Sequence, residues 1–111
     1  MKVEYHKLVR DRIPEIIEKS GKKANYRVLS KEDYKWALMA KLHEEVRELM
    51  LATSKDEMRE EIADIREVLA AIVKAFNLTG NGKNSIRHTK AIEKGVFDKR
   101  YCLISVEDDK W

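Results

Sequence analysis

The chain has 111 residues and a mass of 13.0 kDa, so we predict a single domain over residues 1–111. Its 23 basic and 20 acidic residues leave a net charge of only +3, which argues against a nucleic-acid-binding protein with one strongly basic face. The single cysteine, Cys102, excludes an intramolecular disulfide, and its apolar surroundings in the sequence predict a packed thiol. No signal peptide or membrane-length apolar stretch is present, so the sequence predicts a cytoplasmic protein with no membrane partner.

The first thirty residues predict one short helix. Asp11 is a candidate N-cap, Pro14 suits the first helical turn, and the helix would run through Lys19 and be terminated by Gly21. Residues 24–29 predict a weak extended segment.

Two long amphipathic helices are predicted in the middle of the chain. Ser30 caps the first, which covers residues 31–52, and Ser54 caps the second, which covers residues 55–76. The break at residues 52–54 is short, so the two helices should form an antiparallel hairpin.

The last third of the chain predicts a glycine-rich loop at residues 78–84, then a helix capped by Ser85 that ends at Lys94 before Gly95. Residues 101–106 predict a short strand or extended tail. The fold class is therefore all-α, an antiparallel helical hairpin plus shorter helices with a short extended C-terminal segment. Because this monomer has a small core, we expect a homodimer or homotetramer in which two hairpins form a four-helix bundle.

Four carboxylates occupy unusual positions on the two long helices. At about 100° per residue, Glu45 lies at the edge of an apolar face with Glu48 beside it, while Glu61 lies within an apolar stripe and Asp64 just outside it. Counted from the turn, the two pairs fall within about two helical turns of each other. Acids that face a core need a partner, a proton or a metal, so the cluster predicts a bound cation.

The ligand types favour a hard metal ion. Carboxylates without nearby cysteine suit Mg²⁺, or Mn²⁺, better than Zn²⁺ or copper. Mg²⁺ commonly binds substrate phosphates together with one or two protein carboxylates. The pattern therefore favours a nucleotide polyphosphate as substrate and hydrolysis of a phosphoanhydride by water.

Other interpretations of these residues stay open. One acid pair alone is more commonly an exposed face with helical ion pairs, such as Lys41 with Glu45. The basic residues toward both chain ends could be solvated rather than bound to phosphate. For Tyr34 and Trp36, the sequence does not separate core packing from base stacking.

Two helical motifs carry a family resemblance. They are KLHEEVRE at residues 41–48 and EEIADI at residues 60–65. They resemble the E-x-x-E and E-x-x-D signature of the all-α nucleoside triphosphate pyrophosphohydrolases, the superfamily of MazG-like proteins, dimeric dUTPases and phosphoribosyl-ATP pyrophosphohydrolase. The flanking residues 5–14 and 90–100 are similar to those of its small single-domain members.

This resemblance implies Mg²⁺-dependent cleavage between the α- and β-phosphates, giving a nucleoside monophosphate and pyrophosphate. It implies four metal-binding and catalytic acids: Glu45, Glu48, Glu61 and Asp64. Glu44 matches a double-Glu form of the signature, but its wheel direction is more outward, so it ranks below the four. The candidate substrate contacts are Lys7, Arg10, Arg12, Lys41, Lys90, Lys94, Lys99 and Arg100.

Three functions follow as hypotheses. The first is a house-cleaning pyrophosphohydrolase that acts on canonical or damaged nucleotides, and the second is the same chemistry on phosphoribosyl-ATP. The third is a helical dimerisation or regulatory module that binds nucleotide or metal without turnover. A nucleic-acid partner is not expected.

Overall fold

A computed structural model describes residues 1–78 and 85–108. Within those two ranges the chain forms four α-helices and no strand, which confirms the all-α prediction at this level. The helices are α1 (Ile13–Lys19), α2 (Lys31–Leu51), α3 (Lys55–Ala75) and α4 (Ile86–Lys94).

The chain divides into two compact units, Met1–Leu78 and Thr79–Trp111. Helices α1 to α3 belong to the first unit and α4 belongs to the second. The prediction of one domain over the whole chain stays a prediction. Over the described ranges, each helix is too short or too polar to cross a lipid bilayer.

Serine caps fix the start of each long helix, as predicted. The Oγ atom of Ser30 accepts a hydrogen bond of 3.1 Å from the backbone N–H of Asp33, and Ser54 Oγ accepts one of 3.1 Å from the N–H of Glu57. The carboxylate of Glu57 in turn accepts a bond of 2.8 Å from the N–H of Thr53. Each cap stabilises its helix by about 1 kcal/mol.

Helices α2 and α3 pack together as the predicted antiparallel hairpin. Leu38 lies early in α2 and is buried with Val68 and Ile72, which lie late in α3. Further along α2, Glu45 lies beside the earlier Glu61 of α3. Residue numbers therefore increase along α2 in the direction in which they decrease along α3, which is the antiparallel arrangement. Partly buried side chains that pack against this core are Leu8, Tyr34, Leu42, Ala71 and Ala75.

The predicted cap of α1 is wrong. Arg12, not Asp11, is the N-cap residue, and it makes no side-chain capping hydrogen bond. The N–H of Ile13 instead bonds to the carbonyl oxygen of Arg10 at 3.0 Å, so Asp11 lies inside a turn where it cannot cap the helix. The predicted proline in the first turn, the end at Lys19 and a left-handed glycine at residue 21 are all present.

The described ranges contain no strand, so of the two alternatives for residues 101–106 the strand is wrong. Residues 24–29 and residues 101–106 have no regular secondary structure, and neither segment has a partner strand within the described ranges. The fourth predicted helix is confirmed as α4, because Ser85 Oγ accepts a bond of 3.2 Å from the N–H of His88 and Gly95 ends the helix with φ of +85°. Of the predicted loop, all but Leu78 lies outside the described residues.

Candidate metal and nucleotide site

The structure brings acids from both hairpin helices together. Carboxylate oxygens of Glu45, Glu61 and Asp64 all lie within 4.8 Å of one another. Glu45 is only 5% exposed, whereas Glu61 and Asp64 are half-buried. The convergence predicted from residue spacing across the turn is therefore present, and three acids from two helices could act on one cation.

A second group of acids shares Glu45 with the first. Oxygens of Glu44, Glu45 and Glu48 also lie within 4.8 Å of one another. Glu48 is exposed and Glu44 is half-buried, so the wheel argument that ranked Glu44 lowest underestimated its place in the cluster. The doubled glutamate of the sequence motif was the signal that pointed to it. We call these five residues, Glu44, Glu45, Glu48, Glu61 and Asp64, the acid cluster.

Two oxygens of the acid cluster are buried without a hydrogen-bond partner. They are Glu45 Oε2 and Glu61 Oε2. Burying a carboxylate oxygen without a donor costs free energy, because the water that solvated it is not replaced. A proton or a bound cation would satisfy both atoms, and a set of oxygen ligands is of the kind that Mg²⁺ or Mn²⁺ prefers.

The electrostatics of the cluster favour a proton on Glu61 when no cation is bound. Protonated Glu61 would donate a hydrogen bond to the carboxylate of Glu45, and this bond, partial burial, and the charges of Glu48 and Glu45 raise the pKa of Glu61 to about 7 from its ordinary 4.5. Close carboxylates repel one another when all are ionised, so Glu61 keeps its proton to near-neutral pH.

Glu61 should make the metal-free protein less stable as the pH rises from about 5 to about 8. Between pH 4.5 and about 7, Glu61 is protonated in the folded chain but charged in the unfolded chain, so raising the pH lowers the free energy of unfolding. Glu61→Gln removes this contribution. Urea titrations in the presence of a chelator measure the free energy of unfolding of both proteins. We expect the value for the variant, minus the value for the natural chain, to increase as the pH rises across this range. The same difference for Glu67→Gln, an exposed acid on α3, should stay flat; a flat difference for Glu61→Gln would contradict the prediction.

Lys41 is engaged with the acid cluster. Its Nζ atom lies 3.3 Å from Glu45 Oε1 and 3.4 Å from Glu44 Oε2, and its side chain is only 18% exposed. Burial alone would lower the pKa of Lys41, but the hydrogen bond to Glu45 and the charge of Glu44 outweigh it and raise the pKa. The ion pair of Lys41 with Glu45 is therefore present as predicted, and the predicted contact of Lys41 with substrate stays a prediction.

Two of the predicted phosphate contacts at the amino terminus reach the acid cluster, and the third does not. Arg10 Nη2 lies 2.6 Å from Asp64 Oδ1, and Lys7 Nζ lies 3.6 Å from Glu44 Oε1. Arg12, the N-cap residue of α1, instead forms an ion pair with Glu15 in the first turn of that helix. The sequence offered no signal for these pairings, because residues 1–10 have no periodic pattern.

The C-terminal candidates lie in the second unit. Lys90 and Lys94 are exposed on α4, and both line an open hollow beside that helix. Lys99 Nζ lies 6.0 Å from the centre of the Tyr101 ring, and Arg100 has a left-handed backbone with φ of +58°. Their predicted contact with substrate phosphate stays a prediction.

Two predictions for other side chains can be compared with the structure. Cys102 is exposed, so the predicted packed thiol is wrong. The apolar side chains that follow it are exposed as well, with Leu103 at 81% and Ile104 at 92%, so they give the thiol no packed surroundings. Tyr34 packs against the hairpin core, whereas Trp36 is 72% exposed and contributes little to it.

Comparison with known proteins gives one partial similarity. The chain is 55% identical over 49 residues to an uncharacterized protein of Mycolicibacterium smegmatis (strain ATCC 700084 / mc(2)155). That match covers 44% of this chain and 50% of the relative, so the chain spans about half the length of the relative it matches. No protein-family model and no solved structure matches the chain.

Proposed function

We propose that this protein is a Mg²⁺-dependent nucleoside triphosphate pyrophosphohydrolase of the all-α, MazG-like type, with its active site at the acid cluster. The observation that carries the proposal is the pair of buried, unpartnered oxygens, Glu45 Oε2 and Glu61 Oε2, where acids of both hairpin helices meet. The resemblance of residues 41–48 and 60–65 to the family signature supports the same assignment.

Glu45, Glu48, Glu61 and Asp64 would hold Mg²⁺, or Mn²⁺, with Glu44 close enough to assist. When bound, the ion would neutralise phosphate charge and make a coordinated water more acidic. The protein contributes a preformed set of oxygens on two packed helices, so little reorganisation is needed on binding.

The remaining chemistry belongs to side chains around the cluster. Glu61, whose pKa is raised to about 7 in the metal-free chain, would give up its proton when the divalent ion binds, and an acid of the cluster not fully engaged with the ion would serve as general base. Lys41 holds Glu44 and Glu45 in place and, with Lys7 and Arg10, puts positive charge at the edge of the cluster. That charge would attract and orient a polyphosphate.

The direct test is a substrate panel with product identification. Purified protein with Mg²⁺ is incubated with canonical and damaged nucleoside triphosphates and with phosphoribosyl-ATP. The proposal expects a nucleoside monophosphate and pyrophosphate from at least one triphosphate, and phosphoribosyl-ATP is the alternative substrate. Release of inorganic phosphate instead, or of no product, would contradict it.

A non-catalytic nucleotide- or metal-binding module is the second candidate. It is favoured by the internal cations that already contact the acids, namely Lys7, Arg10 and Lys41. If the acids have only a structural role, Glu61→Gln and Asp64→Asn would change the stability of the protein but not its metal binding or its nucleotide binding. Loss of metal binding and turnover with an intact fold would instead support the enzyme.

We further propose that the protein is a cytoplasmic homodimer whose two hairpins form a four-helix bundle. Within the described residues the buried apolar core is only Leu38, Val68 and Ile72. On each long helix, a set of exposed apolar side chains lies about 100° around the helix from the side chains that pack against the other helix. Because the two helices are antiparallel, both sets lie on the same side of the hairpin. We call this side the apolar face: Met39, Val46 and Met50 on α2, with Met58, Ile62 and Leu69 on α3.

A second copy of the hairpin fits the apolar face. Glu48 and Asp64 lie on the opposite side of the hairpin from the apolar face. A dimer formed through the apolar face would therefore leave the acid cluster accessible. An exposed apolar surface of this kind, alongside so small a core, is typical of a subunit interface.

Leu69→Glu should convert the dimer to a monomer. The substitution places a charge on the apolar face, where burial against a second copy would cost several kcal/mol. Light scattering coupled to size-exclusion chromatography measures the mass, and Leu51→Glu, an exposed leucine outside that face, is the matched control. A dimeric Leu69→Glu variant would show that the subunits meet elsewhere.

A further inference from the structure

The first ten residues are attached to the acid side of the hairpin without forming secondary structure of their own. Three side chains make the attachment. Lys7 pairs with Glu44, Leu8 packs against the hairpin core, and Arg10 pairs with Asp64. This segment is therefore connected directly to two members of the acid cluster.

Asp64 has two roles that conflict. Its carboxylate is one of the three groups, with Glu45 and Glu61, that converge closely enough to hold one cation. Its Oδ1 atom also accepts a 2.6 Å hydrogen bond from the Arg10 guanidinium, which carries a full positive charge. A divalent ion on Asp64 would lie a few ångströms from that guanidinium, where two positive charges repel strongly.

Building on the proposed function, we infer that Arg10 is the counter-ion of the metal-free acid cluster and is displaced from Asp64 when a divalent cation binds. Loss of this ion pair loosens residues 1–10 from the hairpin and frees the guanidinium for a phosphate group of the substrate. The metal site and the N-terminal segment are thereby coupled: occupancy of one weakens attachment of the other.

Arg10 is the cation that can leave. Its side chain is 56% exposed and belongs to an irregular segment, so its ion pair is weak and its new position is readily solvated. Lys41, in contrast, is fixed on α2 and is largely buried against Glu44 and Glu45. Displacing Arg10 costs less than displacing Lys41, so the metal-linked movement falls on the N-terminal segment.

The first test measures Mn²⁺ affinity by the electron paramagnetic resonance signal of free Mn²⁺. Arg10→Ala should bind Mn²⁺ about five- to tenfold more tightly than the natural chain, because the competing cation is gone. Arg59→Ala is the matched control, since Arg59 pairs with Asp56 at 2.8 Å outside the cluster, and its Mn²⁺ affinity should equal that of the natural chain. A merely structural role for Arg10 would make Arg10→Ala bind Mn²⁺ equally or more weakly, and that result would overturn the inference.

The second test reports on the segment itself. Limited trypsin digestion, followed by mass spectrometry, measures cleavage after Lys7 and Arg10 with and without Mn²⁺. The natural chain should be cut faster at these two bonds when Mn²⁺ is present, and Glu61→Gln should show no acceleration. Unchanged or slower cleavage while Mn²⁺ binds would overturn the inference and leave the proposed function standing. Absence of Mn²⁺ binding in the natural chain would overturn both.

Discussion

Glu45→Gln is expected to lower kcat/KM for the best nucleoside triphosphate by about 100-fold or more, because it removes the carboxylate shared by both three-acid groups. Gln keeps the size of the side chain and one carbonyl oxygen but loses the negative charge that attracts a divalent ion. Glu45 is 5% exposed, so water cannot replace the missing charge. The loss should appear in steady-state kinetics at saturating Mg²⁺.

The controls separate a chemical defect from a folding defect. Circular dichroism should show an unchanged helical spectrum, because Lys41 retains its ion pair with Glu44 when Glu45 is neutral. Glu67→Gln makes the same change at an exposed position of α3 and should retain full activity. Mg²⁺ should raise the thermal midpoint of the natural chain and of Glu67→Gln but not that of Glu45→Gln. Full activity of the Glu45→Gln variant would show that the acid cluster does not take part in the reaction.

Local chemistry explains why the hairpin could be predicted from sequence. Ser30 and Ser54 are good caps with acidic residues three positions later, and their bonds form within one helical turn. A short break between two amphipathic helices then leaves few arrangements other than an antiparallel pair. Because side-chain direction follows from residue spacing, the meeting of Glu45 with Glu61 was also predictable.

Long-range contacts explain what the sequence did not disclose. The attachment of Arg10 to Asp64 joins residues 54 positions apart, and the irregular segment that carries Arg10 has no period from which to predict it. The wheel placed Glu61 deeper than Glu45, yet Glu45 is the more buried of the two in the structure. Residues of both long helices meet in the acid cluster, and Lys7 and Arg10 of the N-terminal segment contact two of its acids. A wheel drawn for one helix contains none of these neighbours.

The small core gives the second large prediction, which concerns stability. Leu38 is only 2% exposed and is one of three buried apolar side chains in the described residues. Leu38→Ala should lower the free energy of unfolding by about 2–5 kcal/mol, because transfer and cavity terms add at a packed site. For a chain of 111 residues that is a large share of the total stability.

Urea denaturation at fixed protein concentration measures this change, since the proposed dimer would make stability depend on concentration. Leu51→Ala is the matched control, because Leu51 lies on the same helix but is 68% exposed, and it should change the free energy of unfolding by less than about 0.5 kcal/mol. Leu38 lies about two helical turns from Glu45, so the contact that stabilises the hairpin also fixes the spacing of the acid cluster. Folded Leu38→Ala protein should therefore bind Mn²⁺ more weakly than Leu51→Ala. Equal stability of the two variants would mean that the hairpin is held together elsewhere.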